Sequence, residues 1–289
     1  MWEGPAFEVT SPRCGALPLV VASPHSGSLY PADLLQASCL SGQALRRSED
    51  CYVQDLVADA TAAGAAVIHA LFPRAYVDAN REPYELDPLL FDEPLPAYAN
   101  SRSPRVTAGL GTIARVVASG QPIYWRKLAV REALDRLERC YLPYHRALRD
   151  LIEERVSQFG LCILLDCHSM PSLHAAHGGA AAPDVVLGDC HGLSALSGLV
   201  EVAQKVFREL GYRVAYNAPY AGGFVTRQYG RPERGVQALQ IEMARGLYMN
   251  ERNLKPNRGY RRLRADLSRV FAGIADWISS DVQLPRAAE

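Results

Sequence analysis

The chain has 289 residues, 48% of them hydrophobic and 21% charged, which is enough for a sizeable buried core. Its formal net charge is zero, so the electrostatic footprint of a nucleic-acid or anionic-membrane binder is absent. No apolar run approaches the ~20 residues of a membrane helix, so neither nucleic acid nor membrane is an expected partner.

The opening Met-Trp-Glu-Gly-Pro lacks the charged-then-apolar pattern of a secretory leader. Strand candidates follow at 17–22, 65–70, 74–79, 161–166, 184–188, 212–216 and 235–242, each a short apolar run bounded by turn residues. Between them lie helix candidates. The first is 49–63, with Ser48 as N-cap and Gly64 as stop. A long one over 126–157 is broken or kinked at Pro143. Two more follow, 193–210 ending at Gly211 and a last one over 259–279. This alternation predicts an α/β fold with a parallel or mixed sheet covered by helices on both faces. Residues 82–125 are rich in Pro, Gly and Arg with little apolar periodicity, and read as a substrate-pocket loop or lid. The small-residue segment 175–183 reads as a flexible loop. Seven cysteines (Cys14, Cys39, Cys51, Cys140, Cys162, Cys167, Cys190) form no Cys-x-x-Cys pair, which points to reduced thiols and a cytoplasmic protein.

Seven histidines are candidates for chemistry. His69 lies on an apolar strand and reads as core; His174 and His177 have no special claim. His25 and His168 each follow an apolar run, in Leu17-Pro-Leu-Val-Val-Ala-Ser-Pro-His25 and Leu161-Cys-Ile-Leu-Leu-Asp-Cys-His168, and each precedes a serine. His191 repeats that pattern in a third place. In open α/β sheets ligands bind at the carboxyl ends of strands, so two such histidines suggest a metal or acid–base site. A catalytic zinc takes three protein ligands and leaves a fourth position open. Glu49 and Asp50 could each supply a carboxylate, although acids in a first helical turn are also explained by the helix dipole. Glu242 is the single charge in the apolar run Val236–Met243, costly to bury unless it is paired, metal-bound or catalytic. Asn80 and Arg81 end another strand candidate, and Arg227 follows Gly222-Gly223; a planar guanidinium suits a small carboxylate substrate.

Taken in order, Ser23-Pro-His-Ser-Gly27, Glu49-Asp50, Asp78-Ala-Asn-Arg81, Asp166-Cys-His-Ser169, Gly222-Gly-Phe-Val-Thr-Arg-Gln-Tyr-Gly-Arg-Pro232 and Gln240-Ile-Glu-Met243 resemble the N-formylglutamate amidohydrolase family. Tyr141-Leu-Pro-Tyr-His145 resembles a family segment on the long helix. The resemblance implies a single domain over 1–289 with a zinc-carboxypeptidase-like, three-layer αβα fold around a central mixed sheet. It implies a metal-dependent amidase for a small anionic N-acyl amino acid, with N-formyl-L-glutamate as the natural substrate. His25, His168 and an acid at 49 or 50 would hold one Zn²⁺. The family has an aspartate followed by an aromatic where Asp50-Cys51 stands, which favours Asp50, with Glu49 as the alternative. Glu242 would be the general base, Asn80 and Arg81 the clamp for the α-carboxylate. Arg227, with Thr226 and Gly223 beside it, would be a second anion contact. Two histidines and a carboxylate also suit some Fe(II) sites. Asp166 is the expected acceptor for a ligand histidine. Rival readings are a cysteine amidase using Cys167 or Cys51, and a small-anion binding protein without turnover.

Overall fold

A computed structural model describes residues 2–117, 120–172 and 182–281. Residues 173–181, which hold His174, His177 and most of the small-residue segment, lie outside the described residues. The chain divides into two compact units: residues 1–8, 24–51 and 69–147, and residues 9–23, 52–68 and 148–289.

The strands are β1 Phe7–Thr10, β2 Leu19–Ser23, β3 Ala66–Ala70, β4 Cys162–Met170, β5 Val185–Gly188, β6 Val214–Tyr216 and β7 Val236–Ala244. They form one sheet in the order β1-β3-β2-β4-β7-β5-β6, most of it in the second unit. The neighbours β2, β4 and β7 run parallel, and β5 is antiparallel to β7, so the sheet is mixed and the α/β expectation holds. The helices are α1 Ala32–Ala37, α2 Gly42–Leu45, α3 Val53–Val57, α4 Pro104–Thr107, α5 Val130–Arg136, α6 Leu142–Phe159, α7 Ser197–Glu209, α8 Phe224–Tyr229 and α9 Tyr260–Asp281.

In the second unit, β4 is buried along all nine residues. It runs four residues beyond the expected end at Asp166, because β7 pairs with it over its full length, from Cys162↔Val236 to Met170↔Ala244. Side chains alternate along a strand, so Asp166 and His168 share one face and Cys167 and Ser169 take the other. Helix α9 buries Leu263, Leu267, Val270, Phe271, Ile274 and Ile278 at helical spacing, each contributing about 1.5–3 kcal/mol. It packs on α3 and α7. At the α7–α9 contact a Cβ on Gly273 would lie 2.8 Å from Val206 Cγ2, so only glycine permits that approach. No helix among the described residues is long and apolar enough to cross a membrane.

The first unit is built largely of turns and short helices. Trp2, Phe72 and Tyr144 pack edge to face with centroids 6.2 Å apart at each contact, and Arg136 lies 4.3 Å above the Tyr76 ring. Residues 74–79 form no strand. Instead the amides of Tyr76 and Val77 both bond Pro73 O, and Thr112 O takes the Asp78 amide, so the run is a buried turn. Residues 82–125 hold α4 and a 3-10 turn over Pro88–Leu90, and bury Leu86, Leu90, Phe91, Val106, Ile113 and Ile123. The expected helix over 49–63 is also cut short. Glu49 is extended, Tyr52 is left-handed (φ 67°), and α3 begins at Val53 before a 3-10 turn that stops at Gly64. The break in the long helix is a π turn over Leu137–Tyr141, which ends two residues before Pro143.

Candidate metal centre and anion-binding turn

Strand β2 hands the chain directly to Pro24 and His25. Gly27 follows, where a Cβ would sit 2.0 Å from Phe72 O, so no side chain fits there. The His25 ring is buried: Nε2 lies 2.7 Å from Asp78 Oδ1, and Nδ1 lies 3.5 Å from Asp50 Oδ2. The Asp50 amide donates to His25 O at 2.9 Å, locking the two residues' backbones together.

Glu49 has a different environment. Its Oε1 accepts from Arg46 Nη2 at 2.9 Å, and its Oε2 accepts from Arg46 Nε at 3.0 Å and Tyr30 OH at 3.1 Å. Burial and the nearby Glu49 carboxylate both push the Tyr30 phenol up. The dipole explanation for the two acids falls away, since neither occupies a first helical turn.

Asp78 anchors the turn that carries Asn80 and Arg81. Its Oδ1 also accepts from the Asn80 amide at 2.8 Å, and its Oδ2 accepts from Arg74 Nη2 at 2.9 Å and Nε at 3.2 Å. Burial pushes the Asp78 carboxyl up, but Arg74, Arg81 and His25 outweigh it and hold the group well below the usual carboxylate range. Arg81 is buried, donates to Leu110 O at 3.0 Å and Asn80 O at 2.7 Å, and is lowered by desolvation to about 10. Two side chains from the long helix hold the same turn: Tyr141 OH donates to Arg81 O at 2.7 Å and His145 Nε2 to Ala79 O at 2.8 Å.

On the sheet, His168 Nε2 lies 3.0 Å from Asp166 Oδ2, the acceptor expected for it. Both Asp166 oxygens are buried without an aligned hydrogen-bond partner among the described residues. The register pairs Asp166 with Gln240 and His168 with Glu242, so all four side chains share one face of β4 and β7. Gln240 Nε2 donates to Glu242 Oε1 at 3.0 Å, and Glu242 is 9% exposed. Helix α8 carries Thr226, fully buried, and Arg227, exposed, with Gly223 as its N-cap. His191 is exposed on a left-handed turn after β5. Tyr124 OH accepts from Arg136 at 2.7 Å, and Arg126 is held by both Glu132 oxygens.

Among the described residues, His25, Asp50 and His168 each offer one ligand atom, all within 4.8 Å of one another, a group able to hold a metal ion. Glu49 is not part of it. Cys167 lies fully buried on the opposite strand face, where burial and the nearby Asp166 push its thiol up, the reverse of what a nucleophile needs. Asp78 was not singled out as a site residue in the sequence. The signal was there: like Glu242, it is a lone acid in an apolar run.

Residues 17–249 match the family model for N-formylglutamate amidohydrolase. The chain belongs to that family. It is a hydrolase acting on linear amide C–N bonds. An N-formylglutamate deformylase from Pseudomonas putida is 31% identical over 248 residues, 84% of this chain and 86% of that protein. A deformylase of the same name from Pseudomonas aeruginosa is 30% identical over 249 residues, with the same coverage. The crystal structure of an N-formylglutamate amidohydrolase from Ralstonia eutropha JMP134 matches with a TM-score of 0.90 at 37% identity, over 96% of this chain and 99% of that one. A gene product from Agrobacterium tumefaciens, Atu2144, shares the fold at 17% identity and a TM-score of 0.67, over 96% and 97% of the two chains.

Proposed function

We propose that this amidohydrolase cleaves the amide of an N-formyl amino acid, with N-formyl-L-glutamate as substrate and formate and L-glutamate as products. A divalent metal, zinc first among the candidates, would be held by His25, Asp50 and His168. The observation that carries the reading is that buried His-Asp-His group in a chain of this family. The donor set fits: two imidazoles and one carboxylate match a three-ligand zinc site, and each histidine has a carboxylate at one ring nitrogen, Asp78 for His25 and Asp166 for His168. Bound there, the metal would supply Lewis acidity, activating a water and polarising the scissile carbonyl.

The rest falls to the chain's own side chains. Glu242 takes the proton from the attacking water and passes it to the leaving amide nitrogen, its carboxylate oriented by the Gln240 amide. Asn80 and Arg81 bind the α-carboxylate, on a turn whose backbone is fixed by Asp78, Tyr141 and His145. Arg227, with Thr226 and Gly223, is the second anion contact, and residues 82–125 shape the substrate pocket within a single catalytic domain. The seven cysteines are all free thiols, in keeping with a reducing, cytoplasmic setting.

The test is metal analysis of wild type and His168→Ala, each assayed for formate release from N-formyl-L-glutamate. About one zinc per chain in the wild type, lost with activity in the variant, is the expected result. A wild type that holds no metal and gains no activity on adding zinc refutes the mechanism. Metal without formate release refutes the substrate.

A further inference from the structure

We infer that Asp189 is a positioning residue for Arg227: it fastens the turn after β5 against which the Gly222-Gly223 loop and α8 are seated. The inference rests on the role proposed above for Arg227 as an anion contact, and adds to it a residue that touches no substrate. The β5–β6 ladder ends at Leu187↔Tyr216. Beyond it, the attachment passes to side chains. The Asp189 amide donates to Asn217 Oδ1 at 3.0 Å. Asp189 Oδ1 accepts from Asn217 Nδ2 at 2.8 Å and from the Gly192 amide at 2.9 Å, and Oδ2 accepts from Tyr216 OH. Asp189 is buried, so these donors replace the water its carboxylate has lost.

The bond to Gly192 closes an uncommon turn. Cys190, His191 and Gly192 all have positive φ, at 56°, 58° and 83°. Residues with a Cβ adopt that region rarely, and two in succession persist only where their surroundings enforce it. What the turn gains is contact with the loop before α8. The Cys190 amide donates to Ala221 O at 2.6 Å, and a Cβ on Gly222 would lie 2.6 Å from Cys190 Sγ. At the other end of α8, a Cβ on Gly230 would lie 2.4 Å from Ser194 Cβ. Residues 189–194 therefore form a shelf, and the residues flanking α8 lie directly on it. A staple between β5 and β6 alone does not explain the arrangement. The Asn217 amide already bonds Leu187 O at 2.8 Å, whereas the Gly192 bond reaches away from the ladder, into the turn.

The variant to make is Asp189→Ala. Beside it stands Asp189→Asn, whose oxygen can keep Gly192 and Asn217 while its NH₂ donates to the Tyr216 oxygen. Each is assayed at saturating zinc with N-formyl-L-glutamate and with N-formyl-L-glutamine, which has the same shape without the side-chain charge. Hydrogen exchange at the Cys190 amide is followed by NMR in the metal-free chain. Asp189→Ala is expected to raise KM for N-formyl-L-glutamate at least about tenfold, the worth of one charge-assisted hydrogen bond, while kcat and zinc content hold. For N-formyl-L-glutamine kcat/KM stays within a few-fold, so the preference for the charged substrate collapses; a general loss of structure lowers both alike. Exchange at Cys190 speeds up, and Asp189→Asn restores both readouts. A folded Asp189→Ala in which either readout stays as in the wild type overturns the inference. Unchanged exchange means that the turn does not depend on Asp189, and an unchanged preference that Arg227 does not depend on the turn. An Asp189→Asn as impaired as the alanine variant makes the effect one of charge and overturns it too. Should Asp189→Ala not fold, Asn217→Gly decides. Glycine keeps the left-handed backbone there (φ 57°) and removes both side-chain bonds to Asp189, so an unchanged preference refutes the inference. A wild type that releases no formate, or does not distinguish the two substrates, counts against the proposed substrate or the proposed role of Arg227 instead, and leaves Cys190 exchange decisive for Asp189.

Discussion

Adjacent acids with different environments make Glu49 and Asp50 a sharp test of the site. Glu49 accepts two bonds from Arg46, at 2.9 and 3.0 Å, and one from Tyr30, at 3.1 Å. Hydrogen bonds to a charged group contribute about 1.5–3 kcal/mol each. Glutamine at this position keeps one acceptor oxygen and turns an amide NH₂ toward donors, so at least one of those bonds is lost. The Arg46 side chain is 37% exposed, and water takes over part of its solvation. The net cost of Glu49→Gln is then about 2–3 kcal/mol, a fall in melting temperature of about 3–5 °C for a chain of 289 residues. Asp50→Asn acts differently, by removing a carboxylate from the group able to hold a metal ion. Zinc at 100 times its Kd stabilises a folded protein by about 2.7 kcal/mol. Thermal unfolding with added zinc or with chelator separates the two: Glu49→Gln melts early but still gains from zinc, and Asp50→Asn gains nothing. A Glu49→Gln protein that has lost its response to zinc, beside an Asp50→Asn protein that keeps it, refutes the assignment.

Three further outcomes can be checked. Glu242→Gln retains zinc by metal analysis while kcat falls by about 10²–10⁴, the usual contribution of a positioned acid–base group; a kcat near wild type removes Glu242 from the chemistry. Cys167→Ala keeps turnover within a few-fold, and a dead but folded variant would revive the cysteine mechanism. The depressed Asp78 carboxyl implies stability that is fully present above its unfolded pKa of about 3.9 and is lost as pH falls through the lower folded value. The stability advantage of wild type over Asp78→Asn, from urea unfolding, should therefore shrink below pH about 4 and be flat above pH 5.

Where side-chain periodicity alone decides structure, the sequence was readable. The apolar runs before Asp166 and Glu242 became the paired strands β4 and β7, and Gly64 stopped the turn after α3 as expected. Reading failed where a tertiary partner overrode local pattern. Tyr76-Val77-Asp78-Ala79 looks like a strand, but Pro73 and the carboxylate of Asp78 capture its amides and those of its neighbours. Residues 49–52 look like a helix start, but Arg46 holds the Glu49 side chain and the His25 carbonyl takes the Asp50 amide, so Glu49 is extended and Tyr52 turns left-handed before α3 begins. Strand β1, Phe7–Thr10, is mostly exposed and so carries no apolar signature. Among the candidate residues, His25, His168 and Glu242 stand out in the sequence as polar residues closing or interrupting apolar runs, and the structure groups the first two with Asp50. The choice between Glu49 and Asp50 was not visible there, because it depends on which acid Arg46 and Tyr30 reach through space.

The π turn over Leu137–Tyr141 has a consequence for the turn that carries Asn80 and Arg81. Bonding from i to i+5 brings residues five apart nearly into line, where an ordinary α-helix would set them on different sides. Arg136, Tyr141 and His145 accordingly address the carbonyls of Tyr76, Arg81 and Ala79, three points along one stretch of chain without a strand ladder of its own. That stretch borrows its stiffness from a rod. Shortening the bulge by one residue would rotate Tyr141 and His145 about a third of a turn away from Arg136, unfastening two of the three points while every side chain stayed the same.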